Sequence, residues 1–364
     1  MAGDGQPSVK QGKNVSTSTP NGLVGSPPSK PSTRGSDDGE GQLPVTRAWP
    51  KSIVLRFFLG TFAAQDLVLL GYLVLTRVLL ARVAPSVVRD TCIHTTELCG
   101  LVMIAAAIFG RTIPSVPSIA RKVVYRLSIV GAIVQNYLIL RHLLPVLRPD
   151  SVDATLLRID EFVFGREPAL ILEALNVRPV VEWFSFFYFS YFFIGATYMI
   201  VSVWLTKPGA RTTAFGLGTV FVCCMGQVGY IAVPGYGPHQ YLASQFHGPI
   251  NGGFFWGCVW DAVQAGGAMK DIFPSLHTAL PTWFALHAWN NAKDDPRWKW
   301  PAIITGFFAT NIIFSTVFLR WHYVVDVAAG LTLACATGYF APRIAKAEEV
   351  WRTKLGFRGA WKFD

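Results

Sequence analysis

Two histidines in this chain stand beside groups that could make them reactive. In Ser-Thr-Val-Phe-Leu-Arg-Trp-His-Tyr-Val-Val-Asp, Ser315 to Asp326, the residues His322 and Asp326 are four apart and share one face of a helix. A carboxylate beside an imidazole fixes its tautomer and favours its cationic form. The other ring nitrogen is then free to attack phosphorus or take a proton. In Phe-Pro-Ser-Leu-His-Thr, 273 to 278, Pro274 suits a helix start, Ser275 can offer its hydroxyl and backbone N–H to an anion, and His277 follows at once. A third cluster, Arg141-x6-Arg148-Pro149, carries guanidinium groups of the kind that contact phosphate bidentately. Each cluster also has a plainer reading: a polar pair between helices, an ordinary helix N-terminus, and arginines snorkelling to headgroups.

What must position these groups is a membrane bundle. The 364 residues are 51% hydrophobic and 15% charged, against about 25% charged in a soluble domain. Six cysteines form no CxxC pair, so neither a zinc nor a disulfide framework is expected. The net charge of +10 lies in tails and short loops, which fits membrane topology rather than a nucleic-acid surface.

Residues 1–50 are rich in Gly, Ser, Pro and charge and nearly free of aromatics. A disordered cytoplasmic tail is expected there, with no cleavable signal. Apolar runs then recur at 54–80, 92–110, 123–144, 181–205, 212–233, 275–292, 300–320 and 322–341, about eight spans by length, with six to eight as the working range. The stretch 158–176 is too charged to span and is expected at the interface. The expected organisation is N-terminal helices over 51–122, a catalytic membrane domain over 123–342 and a basic cytoplasmic tail over 343–364.

Basic residues Arg111, Arg121, Lys122, Lys207, Arg211, Lys293, Arg297 and Lys299 fall in alternate loops, and loop 234–273 holds only Lys270. The positive-inside rule then puts both termini in the cytoplasm. Counting crossings brings all three reactive clusters to the opposite, extracytoplasmic face. Two histidines, a carboxylate, serines and arginines converging there fit phosphate-ester chemistry, and no third or fourth ligand stands at metal-like spacing.

The combined pattern, a basic residue-x6-Arg-Pro, then Pro-Ser-x-His, then Ser-x6-His-x3-Asp, resembles the type 2 phosphatidic acid phosphatase superfamily. It runs in order from Arg141 to Asp326. The resemblance implies an all-α membrane bundle in which His322 is the nucleophile and forms a phosphohistidine. Asp326 would orient it, and His277 would protonate the leaving alkoxide. Ser275, Ser315, Arg141 and Arg148 would hold phosphate, with no cofactor or metal.

Three positions depart from the family pattern. Thr316 stands where Arg normally follows Ser, Arg141 where Lys opens the first motif, and Leu276 where Gly is usual. These variants look more like the inositol phosphorylceramide synthase branch, which, like the sphingomyelin synthases, passes a phospho-headgroup from a phospholipid donor to a lipid alcohol. Arg320, one turn after Thr316, is expected to restore the missing charge.

Phosphatase and transferase share this machinery and differ in whether water or an alcohol is the acceptor. A transporter would account for the intramembrane charges Asp66, Arg77 and Glu97 but not for the paired histidine motifs. The loop 233–253, with His239 and His247, is expected to form a lid or to shape headgroup choice. The aromatic run 182–193 is expected to face lipid or pack, with a lipid-tail groove as the alternative. Asp160 is expected to be structural.

Overall fold

The computed structural model describes residues 52–267 and 269–363; the expected N-terminal tail lies outside them. Among the described residues the regular structure is helical, with no strand. Helices are what backbone polar groups demand in lipid, since each segment satisfies its own N–H and C=O groups.

The first apolar run breaks in two, α1 (Ile53–Thr61) and α2 (Ala64–Ala81). Phe62 and Ala63 are extended at the break, and the Asp66 carboxylate accepts the Ala63 N–H at 2.8 Å. Next come α3 (Val87–Thr112), α4 (Ser118–Leu138) and α5 (Leu140–Leu147). The last two are bent by 51°. The break lies at Ile139, the C-cap of α4 and the N-cap of α5; Pro145 lies further along, inside α5.

The stretch expected to form one interfacial helix is instead α6 (Asp153–Phe164), α7 (Pro168–Leu172) and a turn. Gly165, with φ of 78°, ends α6, and Pro168 opens α7. Then follow α8 (Arg178–Met199), continued by a π-helical turn over Ile200–Leu205, α9 (Ala210–Ala232), the short α10 (Pro238–Tyr241), α11 (Phe254–Gly266), α12 (Leu276–Ala292), α13 (Lys299–Phe318) and α14 (Val324–Lys354).

Among the described residues six helices are long and apolar enough to cross a membrane, or seven if the bent α4–α5 pair is one span. The helix α12, counted from sequence as a further crossing, has 17 residues and sits at the centre of the bundle. It packs against α8, α9, α13 and α14. Leu276, Ala279, Leu280, Trp283, Phe284 and Ala288 are all buried, as expected of a helix that is apolar around its whole circumference.

The intramembrane charges Asp66, Arg77 and Glu97 find partners. Arg111 Nη1 lies 2.6 Å from Asp66 Oδ2, with both side chains buried, and Tyr125 donates to Asp66 Oδ1 at 2.5 Å. Arg77 pairs with Glu97 at 2.6 Å. Arg111 and Arg121, assigned from sequence to an inside loop, are therefore packed side chains. Arg121 is 4% exposed and donates to the Val116 and Gly110 carbonyls.

The C-terminal segment is built in as well. The α14 helix runs on to Lys354, and Ala360, Trp361 and Phe363 are buried in the main core. Trp361 packs where Gly216 leaves room: a Cβ there would lie 2.4 Å from the indole.

Candidate active site

The tight turn between α13 and α14 presents His322. Its geometry follows from the end of α13, where Leu319 N–H bonds the Ser315 carbonyl, and both Trp321 and His322 N–H groups bond the Thr316 carbonyl. Arg320 supplies the left-handed residue of the turn, with φ of 67°. Thr316 is fully buried, and its hydroxyl donates to the Ile313 carbonyl. The family's Arg position is thus occupied here by a short side chain packed inside the bundle.

Two carboxylates then cap three N–H groups at the α14 N-terminus. Asp326 Oδ2 accepts the Tyr323 N–H at 3.0 Å and lies 3.5 Å from His322 Nδ1. The Asp160 carboxylate accepts the Val324 and Val325 N–H groups, a capping arrangement at the positive end of the helix. The Asp326 carbonyl accepts the Ser275 N–H at 3.1 Å and so ties α14 to α12. Ser275 caps α12, its hydroxyl accepting the Thr278 N–H at 3.3 Å.

These contacts bring His277 opposite His322, with ring centroids 6.2 Å apart. Both line a cavity of about 60 Å³ with Asp271, His239, Tyr137, Tyr188, Tyr236 and Trp321. That is room for a few waters or a small anion. His277 is stacked on Tyr188 at 4.4 Å, with Tyr191 also at 4.4 Å. The Tyr188 hydroxyl lies 3.5 Å from His277 Nδ1. Part of the aromatic run 182–193 thus faces inward and holds a histidine.

Asp271, which belongs to none of the three clusters, also lines the cavity. It accepts a long, 3.4 Å hydrogen bond from Tyr137. Burial pushes its carboxyl up to about 6, partly offset by the nearby His322. Burial in turn pushes the His322 imidazole down to about 4, against the opposing pull of Asp271. At neutral pH His322 is therefore the uncharged base, the form a nucleophile needs.

The phosphate-binding residues expected from sequence are less well gathered. Ser275 and Ser315 are fully buried, and Ser315 donates to the Ile312 carbonyl at 2.7 Å. Arg141 is not among the cavity-lining residues; it donates to the Ala265 carbonyl at 2.8 Å, two residues past Val263, which does line the cavity.

Arg148 is turned away. It forks onto Asp150 and donates to the Ile231 and Ala232 carbonyls at the end of α9. Arg320 does not line the cavity either. It pairs with Glu173 at 3.2 Å, donates to the Gly248 carbonyl and lies 3.7 Å from the Phe246 ring centroid. Its guanidinium is directed at the Glu173 carboxylate rather than at the cavity. The structure thus places Arg320 between the 234–253 loop and the turn that bears His322.

That loop does approach the cavity. Its His239 N–H bonds the Arg320 carbonyl at 2.6 Å, and the His239 ring lies 4.8 Å from Trp321. His247 is exposed and pairs with Glu173 at 2.9 Å. Gly237, with φ of 77°, allows the close approach, since a Cβ there would lie 2.4 Å from the Trp321 carbonyl oxygen.

Tyr137, Tyr188 and Tyr191 carry no motif. The aspartate three residues before Pro274 was the one further signal available.

A family model described as the PAP2 superfamily matches residues 154–340. The matched stretch contains Ser275, His277, Ser315, His322 and Asp326 and begins after Arg141 and Arg148. No curated protein and no solved structure matches the chain. With just over half of its residues matched, the chain belongs to the PAP2 superfamily of phosphatases and phosphotransferases.

Proposed function

We propose that this chain is an integral-membrane lipid phosphotransferase that works through a phosphohistidine on His322. It passes a phospho-headgroup from a phospholipid donor to a lipid alcohol, as the inositol phosphorylceramide synthase branch does. The observation that carries the reading is the pair of imidazoles across one cavity, His277 and His322, with Asp326 beside the Nδ1 of His322.

In the first half-reaction the free nitrogen of His322 attacks phosphorus. The bond to the leaving oxygen breaks, and His277, which takes up a proton as the phosphate anion binds beside it, gives that oxygen the proton. In the second, His277 takes the proton from the acceptor hydroxyl, whose oxygen displaces His322 from phosphorus. Asp326 and Asp271 stabilise the positive charge that develops on the His322 ring. Arg141 leaves the Ala265 carbonyl to meet the phosphate at the rim.

The aromatic lining of Tyr137, Tyr188, Tyr236 and Trp321 supports an alcohol as acceptor, because such walls favour a lipid-borne group over free water. Hydrolysis is the same cycle with water in the second step. The loop charges support cytoplasmic termini and an extracytoplasmic cavity.

The test offers the purified protein phosphatidic acid, phosphatidylinositol and ceramide, and follows phosphate, inositol phosphate and diacylglycerol. Diacylglycerol together with a new phospho-headgroup lipid is the expected result. Free phosphate alone makes the protein a phosphatase. Headgroup transfer persisting in His322→Ala would remove the phosphohistidine.

A further inference from the structure

At the end of the bundle opposite the histidines, α12 and α14 line an open groove of about 620 Å³. Both helices start beside the catalytic cavity, capped by Ser275 and Tyr323, and run from there towards this end. Lys293, at the groove, lies sixteen residues past His277, about 24 Å along α12. The positive-inside rule assigns this end to the cytoplasm.

Two residues of α14 shape the groove. Gly338 presents no side chain, and a Cβ there would lie 3.0 Å from Leu286 Cδ1. Pro342 has no N–H for the Gly338 carbonyl one turn back. Asn290 of α12 donates its side-chain N–H to that carbonyl at 3.4 Å, and the Asn290 oxygen accepts from Lys293 at 3.2 Å. A polar bridge thus joins the two walls.

The lining is graded along both helices. On α14 it passes from Cys335 and Tyr339 to Arg343 and Lys346, and on α12 from Leu286 through Asn290 to Lys293. Residues at these spacings share one helix face. Each wall therefore turns from apolar to cationic in the same direction, towards the end of the bundle. Beside it the large apolar side chains Phe340 and Ile344 are exposed, which continues the apolar wall onto the outer surface. Among the described residues no carboxylate pairs with Lys293, Arg343 or Lys346; Arg343 meets the Tyr339 carbonyl and lies 3.6 Å from the centre of that ring. The nearest acids along α14 are committed elsewhere, Glu348 to Arg352 and Glu349 to Thr213. Three uncompensated cations above apolar walls match an anion that carries hydrocarbon chains.

We propose that this groove binds an anionic phospholipid from the leaflet at that end, its headgroup on Lys293, Arg343 and Lys346 and a chain along Leu286, Cys335 and Tyr339. Basic pockets between membrane helices take headgroups by this chemistry, and a guanidinium meets phosphate bidentately. The volume falls within the range of about 300–1,000 Å³ usual for small-molecule sites. Arg343, Lys346 and Lys293 are all exposed, so the lipid enters sideways from the bilayer. The site is separate from catalysis and does not depend on the proposed reaction.

The test is native mass spectrometry of the delipidated full-length protein, titrated with equal amounts of phosphatidylglycerol and phosphatidylcholine carrying the same chains. Phosphatidylglycerol should be retained in preference. Lys293→Gln, Arg343→Gln and Lys346→Gln should each lower that preference about fivefold, and the triple variant should lose it. Equal retention of the two lipids by wild type, or an unchanged preference in the triple variant, overturns the site. As large a loss in Lys207→Gln, an exposed residue of the same end outside the groove, makes the effect one of diffuse charge and also overturns it. Displacement of the lipid by millimolar inorganic phosphate overturns the lipid assignment in favour of a free anion. A photoactivatable phosphatidylglycerol on the wild-type protein in a bilayer gives a reading that needs no variant. Cross-links on α12 and α14 around Leu286 and Tyr339 are expected, and cross-links confined to other helices refute the proposal.

Discussion

His322 and Asp271 share the cavity and shift each other's protonation, so their effects separate by pH. The imidazole, held down to about 4 chiefly by burial, stays a free base well below the ordinary histidine range. The Asp271 carboxyl, raised to about 6 chiefly by burial, loses its charge as pH falls through that value. That charge favours positive charge on His322, so kcat/KM should fall below about pH 6. In Asp271→Asn the profile should lose this limb and run at a lower plateau, declining only below about pH 4, because the carboxylate that raised His322 is gone. An unchanged profile would separate Asp271 from the reaction. His277→Ala should lower kcat by about 10²–10⁴-fold, the usual worth of a general acid–base group. His322→Ala should abolish turnover, since no phosphohistidine can form.

At the scale of elements, the turn after α13 and the 234–253 loop work as one unit. Arg320 holds the loop through Glu173 and the Gly248 carbonyl, while its own carbonyl accepts from His239. As a clasp, Arg320→Ala should be mimicked by Glu173→Gln, with sub-additive losses of activity in the double variant. A phosphate-holding Arg320 would make Arg320→Ala far worse than Glu173→Gln. The same seam makes Gly237 intolerant. Gly237→Ala places a Cβ 2.4 Å from the Trp321 oxygen at a φ of 77°, and about 1–3 kcal/mol of local strain is expected. Thermal unfolding and activity should both register it, because Trp321 adjoins His322.

Across the whole molecule, the end of the bundle away from the histidines is locked by buried polar contacts. Arg111 bridges Asp66, Tyr125 and the Ala360 carbonyl, while Arg352 reaches the Gly60 and Phe62 carbonyls. Helices α2, α3, α4 and the C-terminal segment are thereby joined. Removing one partner of a buried pair leaves an uncompensated charge, so Asp66→Ala should cost about 3–5 kcal/mol, measured by denaturant unfolding in detergent with catalytic geometry intact in the folded fraction. The intramembrane charges that invited a transporter reading are thus, for Asp66, Arg77 and Glu97, members of ion pairs.

The local signals in the chain were enough for much of this. Runs of apolar residues long enough for a bilayer specify an all-helical bundle, because backbone polar groups in lipid leave few alternatives. Prolines, glycines and capping carboxylates near Pro274, Gly165 and Asp326 mark helix ends, because their effects act within one turn. The histidine motifs stand out by spacing, although His322 lies in the turn just before α14 and not, as expected, on a helix face shared with Asp326. The directions of long side chains were settled only by tertiary packing. Arg148 and Arg320 carry the right charge at the right spacing, yet carboxylates and carbonyls brought in from distant segments claim them. Tyr137 and Tyr188 reach the cavity from other parts of the chain without a motif, and the C-terminal Trp361 folds back onto Gly216 across more than a hundred residues. Spacing along a sequence reports what a helix turn holds together; which partner a guanidinium meets depends on the whole set of helices packed around it.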